Sequence, residues 1–88
     1  MTGDEAGRIA MDARGLYGLA GYRVAGAERR YIEIVEGVPP AIVPMSPGPV
    51  RDVAAWVVRM TRDGGFAEVA VDDADGAVVR VRKGRQGV

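Results

Sequence analysis

The chain has 88 residues, 48% of them hydrophobic, and a formal net charge of zero from twelve basic and twelve acidic side chains. That length makes one domain, which buries roughly two thirds of its unfolded surface and has a thin stability margin that dimerisation would widen. Cysteine and histidine are both absent. Their absence excludes disulfide staples, thiolate metal sites, serine triads and cysteine–histidine pairs, while the balanced charge argues against a dedicated double-stranded DNA binder.

Arginine outnumbers lysine eleven to one, amid abundant Ala, Gly and Val. This is the bias of a GC-rich, bacterial type of coding sequence, so the arginines are not read as selected for phosphate binding. No apolar run reaches the length of a membrane span, and residues 1–20 lack the basic start and long apolar core of a secretory signal. The expectation is a soluble cytoplasmic protein with no cofactor and no membrane partner.

Residues 1–20 carry Ile9, Ala13, Leu16 and Ala20 at helical spacing. Gly7, Gly15 and Gly18 would each cost about 1 kcal/mol inside a helix, so a poorly ordered or irregular start is predicted. Gly15-Leu16-Tyr17-Gly18 matches the GxxG spacing of a backbone-clamping loop, but a chain with 13 glycines produces such matches by chance.

A single domain is predicted over 21–85. In GYRVAGAERRYIEIVEG, pairing Val24 with Ile32 sets Arg23 opposite Glu33 and Ala25 opposite Tyr31, predicting a hairpin with Gly26 to Arg30 as its loop. All five prolines fall in residues 36–50. Because proline lacks a backbone donor, the stretch 38–49 reads as a stiff crossover from strand to helix, with Ala41 to Val43 able to join a sheet edge. Two other readings are a flexible linker and a Pro44-Met45-Ser46-Pro47 ligand for an aromatic groove.

Residues 49–63 are predicted as an amphipathic helix. Val50, Val53, Ala54, Val57 and Thr61 form its apolar stripe, Ser46 its N-cap, Pro47 its first position and Gly64-Gly65 its stop. FAEVAVDDADGAVVRVRK reads as a second hairpin with a three-residue loop of Ala74, Asp75 and left-handed Gly76. This aligns Val71 with Val79, Val69 with Val81 and Glu68 with Arg82. The predicted fold class is α+β: a small two-layer β-β-α-β-β sandwich, with the antiparallel sheet built from two hairpins and one helix packed across it.

Few constellations carry chemistry. Asp72, Asp73 and Asp75 cluster where mutual repulsion could raise a pKa, but aspartates are also favoured in tight turns, and the spacing fails an EF-hand at Val71 and Arg82. Trp56, Val58, Met60, Val35 and Val78 fall outside the predicted inward-facing set. Such surplus apolar side chains point to a partner surface, and hence to a non-enzymatic accessory or regulatory module that binds itself as a homodimer or binds another protein. The alternative is a nucleic-acid-binding regulator using Arg80, Arg82, Lys83 and Arg85, extended by Arg29, Arg30 and Tyr31. A third reading is a small-ligand binder, or an enzyme that uses neither histidine nor cysteine.

Overall fold

The computed structural model describes residues 1–46 and 48–84; Pro47, the expected first helical position, and Arg85, an expected nucleic-acid contact, lie outside the described residues. Helix α1 (Gly3–Asp12) and a 3-10 turn (Arg14–Tyr17) precede four strands, β1 (Arg23–Val35), β2 (Val50–Arg62), β3 (Gly65–Asp72) and β4 (Val78–Gly84). The strands form one antiparallel sheet in the order β1-β2-β3-β4, with α1 packed on it. The α+β class with one helix across an antiparallel sheet is as expected. The order of elements is not: the helix comes first, and residues 50–62, predicted helical, are the long strand β2.

The first residues form a helix because Thr2 and Glu5 cap it reciprocally. Thr2 Oγ1 accepts the Glu5 N–H at 3.2 Å, and Glu5 Oε1 accepts the Thr2 N–H at 3.1 Å. Together with Asp4, Glu5 also sets negative charge against the positive end of the helix dipole. The buried stripe of α1 is small, consisting of Ala6, Gly7 and Ala10. A Cβ at Gly3 would stand 3.2 Å from the Trp56 ring, and one at Gly7 would stand 3.7 Å from Val24. Gly7, one of the glycines that lowered the helical expectation, therefore lies where helix and sheet approach, and the packing of α1 outweighs its propensity cost of about 1 kcal/mol; Gly15 and Gly18 fall beyond the helix.

β2 lies between two cores. Val58 and Met60 join Val69, Val71 and Val81 beneath α1, with Leu19 and Tyr22 completing the cover. Val53, Ala55 and Val57 meet Ile32, Ile34 and Ala70 on the opposite face. A strand buried on both faces reads as an almost continuous apolar run, in which strand and helix periods cannot be told apart. Burying one Val or Met side chain is worth about 1.5–3 kcal/mol, against helix preferences of a few tenths per residue, so the two-sided burial decides. Gly64-Gly65 is not a helix stop. Arg62 pairs with Gly65, so the chain turns through Asp63 and Gly64, where Gly64 takes φ +73°.

The predicted first hairpin does not form, because β1 runs straight through its supposed loop. Val24 pairs with Met60 and Ile32 with Val53, and the register slips between Val24 and Gly26. A Cβ on Gly26 would fall 2.7 Å from Arg59 Nη2. Gly26 thus marks a bulge with a close side-chain approach rather than a turn.

The proline segment joins β1 directly to β2. Val35 pairs with Val50, and Glu36 N–H donates to the Pro49 carbonyl at 2.8 Å, so the segment leaves and returns at one place. In between it reaches the far side of the sheet, where the Pro40 carbonyl accepts the Val81 N–H of β4 at 2.8 Å. Val38, Pro40 and Ile42 line a cavity of about 160 Å³ together with Ile34 and Val79. The helix thus covers one core while the loop lies over the other.

The β3–β4 hairpin keeps the expected pairs Val69–Val81 and Glu68–Arg82, and Gly76 has φ +76°. Val71 pairs with Val78 rather than Val79, because a bulge between Ala70 and Val71 shifts the register. Val79 therefore packs with the second core, and the four valines expected on one face are split between the two.

Candidate functional site

The sheet has two edges, and they are finished differently. At β4 the Val81 N–H is taken by Pro40. At β1, among the described residues, no backbone group bonds to the outer side of residues 23–35. The bond from Glu36 N–H to Pro49 fixes the phase of the ladder. Since partners alternate along an antiparallel strand, Ala27, Arg29, Tyr31, Glu33 and Val35 direct their N–H and C=O groups away from β2.

Of the side chains along this edge, Arg29 is held in place. Arg29 Nε donates to Asp73 Oδ2 at 3.0 Å, and the Arg29 guanidinium lies 5.9 Å from the Tyr31 ring centroid. Asp73 Oδ1 accepts the Trp56 indole N–H at 3.0 Å. The hydrogen bond from Arg29, followed by that from Trp56, lowers the Asp73 pKa from its ordinary value, and the Asp73 carboxylate raises that of Arg29. Tyr31 is 72% exposed, and Glu33 is exposed with no ion pair among the described residues.

The residues expected to form a partner surface are elsewhere. Val58 and Met60 are fully buried, and Trp56 and Val78 are half-buried against the same core, all beneath α1. Val58 and Met60 present no face to a partner, because the helix missing from the sequence reading covers them, and Trp56 and Val78 keep only part of their surface open. Val35 is half-buried at the end of β1, beside exposed Val50.

The expected nucleic-acid patch is divided between faces. Arg30, Arg80 and Arg82 share the face opposite α1. Arg30 Nη2 lies 3.1 Å from Glu68 Oε2, Arg82 stands directly across from Glu68, and Arg80 sits beside Ala70. Burial, then the charge of Arg82, lowers the Arg80 pKa. Arg29 and Tyr31 lie on the α1 side, as does Lys83, whose Nζ would be 3.2 Å from a Cβ at Gly18. Arg59, opposite Glu68 on its other flank, and exposed Phe66 join the arginine face. Sequence reasoning missed both, since a helix over 50–62 hid their place in the sheet.

No known protein family, curated protein or solved structure matches this chain.

The aspartates at the β3–β4 turn are engaged locally. Asp72 Oδ1 accepts the Ala74 N–H at 2.8 Å, and Asp75 Oδ1 accepts the Ala77 N–H at 2.9 Å, while Asp73 holds Trp56 and Arg29. Bonds of this kind shape turns rather than poise a carboxyl for proton transfer. The cavity under the proline loop is walled by aliphatic and proline side chains, with Glu33, Arg80 and Arg82 its charged members. Among the described residues, no helix is long and apolar enough to cross a membrane.

Proposed function

We propose that this chain is a small cytoplasmic, non-enzymatic interaction module that acts as a homodimer through the β1 edge. The observation that carries this reading is the contrast between edges: a proline-free strand of 13 residues with an open outer side, against a far edge met by the chain's own loop. Sheet proteins that remain monomeric blunt their edges with prolines, short strands or bulges, because an open edge is a template for another strand. The devices present on β1 are the bulge near Gly26, at one end, and charged side chains of both signs, Arg23, Glu28, Arg29, Arg30 and Glu33, which can pair across a two-fold as well as repel. A second copy is the occupant that the edge itself specifies, since antiparallel addition of β1 to β1 is self-complementary. Light scattering of the purified chain should give twice the monomer mass. Amide exchange at Arg29, Tyr31 and Glu33 should slow as concentration rises, and a monomer at high concentration with fast exchange at these amides refutes the reading.

A second reading rests on Arg30, Arg59, Arg80 and Arg82 gathered on one sheet face around Glu68, with Phe66 exposed beside them. Cations with a stacking ring suit single-stranded nucleic acid. Retention on single strands at low salt, lost in Arg80→Ala/Arg82→Ala, would favour it, and no retention at low salt removes it.

A further inference from the structure

We infer a specific register for the pairing of β1 with its copy: the two-fold axis passes through Tyr31, so that Tyr31 meets Tyr31 of the partner subunit and Arg29 meets Glu33 of the partner subunit. This inference rests on the homodimer reading above and adds the contacts that select one alignment.

Geometry reduces the choices first. An axis relating adjacent antiparallel strands stands perpendicular to the sheet, so residues opposite each other lie on the same face. The axis therefore falls on a residue, not between two. The outward backbone groups belong to Ala27, Arg29, Tyr31, Glu33 and Val35, as set by the Glu36–Pro49 bond. An axis at Tyr31 joins them in reciprocal hydrogen-bonded pairs, with Tyr31 to itself, Arg29 to Glu33 and Ala27 to Val35.

Charge and the bulge then select among the remaining alignments: an axis at Ala27 opposes no like charges, but, like one at Gly26, it runs the pairing through the Val24/Gly26 bulge and forms no Arg–Glu pair, and an axis nearer either end pairs five residues of β1 or fewer. An axis at Glu28, Arg29, Arg30 or Glu33 sets that residue against its own copy, and like charges directly opposite are destabilising. An axis at Ile32 sets Glu28 against Glu36 and leaves Arg29 facing Val35. With the axis at Tyr31, no like charges are opposed. Arg30 then faces Ile32, Glu28 faces Ile34, and the Arg29–Glu33 pair occurs twice. Arg29 is prepared for this contact, because its Nε is committed to Asp73 at 3.0 Å, which holds the guanidinium in place with its terminal nitrogens left over. Exposed Tyr31 pairs ring to ring at the centre. The two four-stranded sheets become one, with both copies of α1 on one side and both arginine faces on the other.

The absence of cysteine makes the register directly readable. Single variants Tyr31→Cys, Arg30→Cys and Glu33→Cys are oxidised in solution and run on non-reducing gels. In a hydrogen-bonded pair the Cα atoms are about 5.5 Å apart, within disulfide reach, so Tyr31→Cys should cross-link efficiently. Arg30→Cys and Glu33→Cys, offset from their copies along the strand, should not. Glu33→Arg, which faces Arg29 on both sides of the axis, should raise the dissociation constant about tenfold or more. A dimer that cross-links at position 30 or 33 but not at 31 overturns the register and leaves the homodimer standing. A chain that stays monomeric overturns both.

Discussion

Replacing Met60 and Met45 in turn by alanine deletes the same atoms from opposite environments. Met60 is 0% exposed in the core beneath α1, and Met45, in the proline loop, is 93% exposed. Truncating a buried Met costs about 2–5 kcal/mol through lost transfer energy and the cavity left behind. An 88-residue domain has a total stability of about 4–13 kcal/mol. Met60→Ala should therefore remove from about a sixth to all of it, and Met45→Ala should change it by less than about 0.5 kcal/mol. Trp56, the single tryptophan, packs against the same core as Met60 and reports unfolding by its fluorescence. With a urea slope of about 1 kcal/mol/M, the Met60→Ala midpoint should fall by about 2 M or more, while that of Met45→Ala stays put. Equal midpoints for the two variants would show that Met60 is not enclosed between sheet and helix, and would refute the placement of residues 50–62 as the central strand.

Two further outcomes follow from caps and charges. Thr2→Ala removes one half of the reciprocal cap on α1 and should cost about 1 kcal/mol, read as faster amide exchange within α1 and a lower urea midpoint. The folded pKa of Asp73 lies below its unfolded value, so the native state binds fewer protons between the two. Its contribution is complete above the unfolded pKa and disappears as pH falls through the folded one. Wild-type stability should therefore drop on acidification below the ordinary carboxylate range, and Asp73→Asn should be flatter there; parallel pH profiles for the two would count against the Asp73–Arg29–Trp56 cluster.

The β3–β4 hairpin was legible because its valines alternate with charged or small residues, even where β3 is buried on both faces at Val69 to Asp72, and because the Asp-rich turn punctuates the two runs. Even there the bulge at Val79 was invisible, since a bulge adds one residue without changing composition. β2 was not legible, because Val57 and Val58 are both buried, on opposite faces, and a run apolar on both sides carries no period. The Asp63-Gly64 pair between two apolar runs is the available hairpin signal, which the helix stop expected at Gly64-Gly65 obscured. Likewise Thr2 and Glu5 spell a capping box that the sequence reading passed over, and Gly7 lowered the helical expectation although it lies where α1 packs against Val24. Alternation alone placed Arg80 and Arg82 together. Their meeting with Arg30 and Arg59 depends on sheet order, and the open edge of β1 depends on which strand has no neighbour, neither of which a local pattern encodes.

The bond from Val81 to Pro40 also bears on how far such molecules could string together. A sheet unguarded on both flanks can recruit copies without limit and grow into a fibre. Here one flank is plugged by a residue that has no amide hydrogen of its own to offer an incoming strand. In a dimer paired through β1, as proposed, the outward flanks would be the two β4 edges, each with its Val81 N–H already taken by Pro40, which disfavours further strand addition at that point.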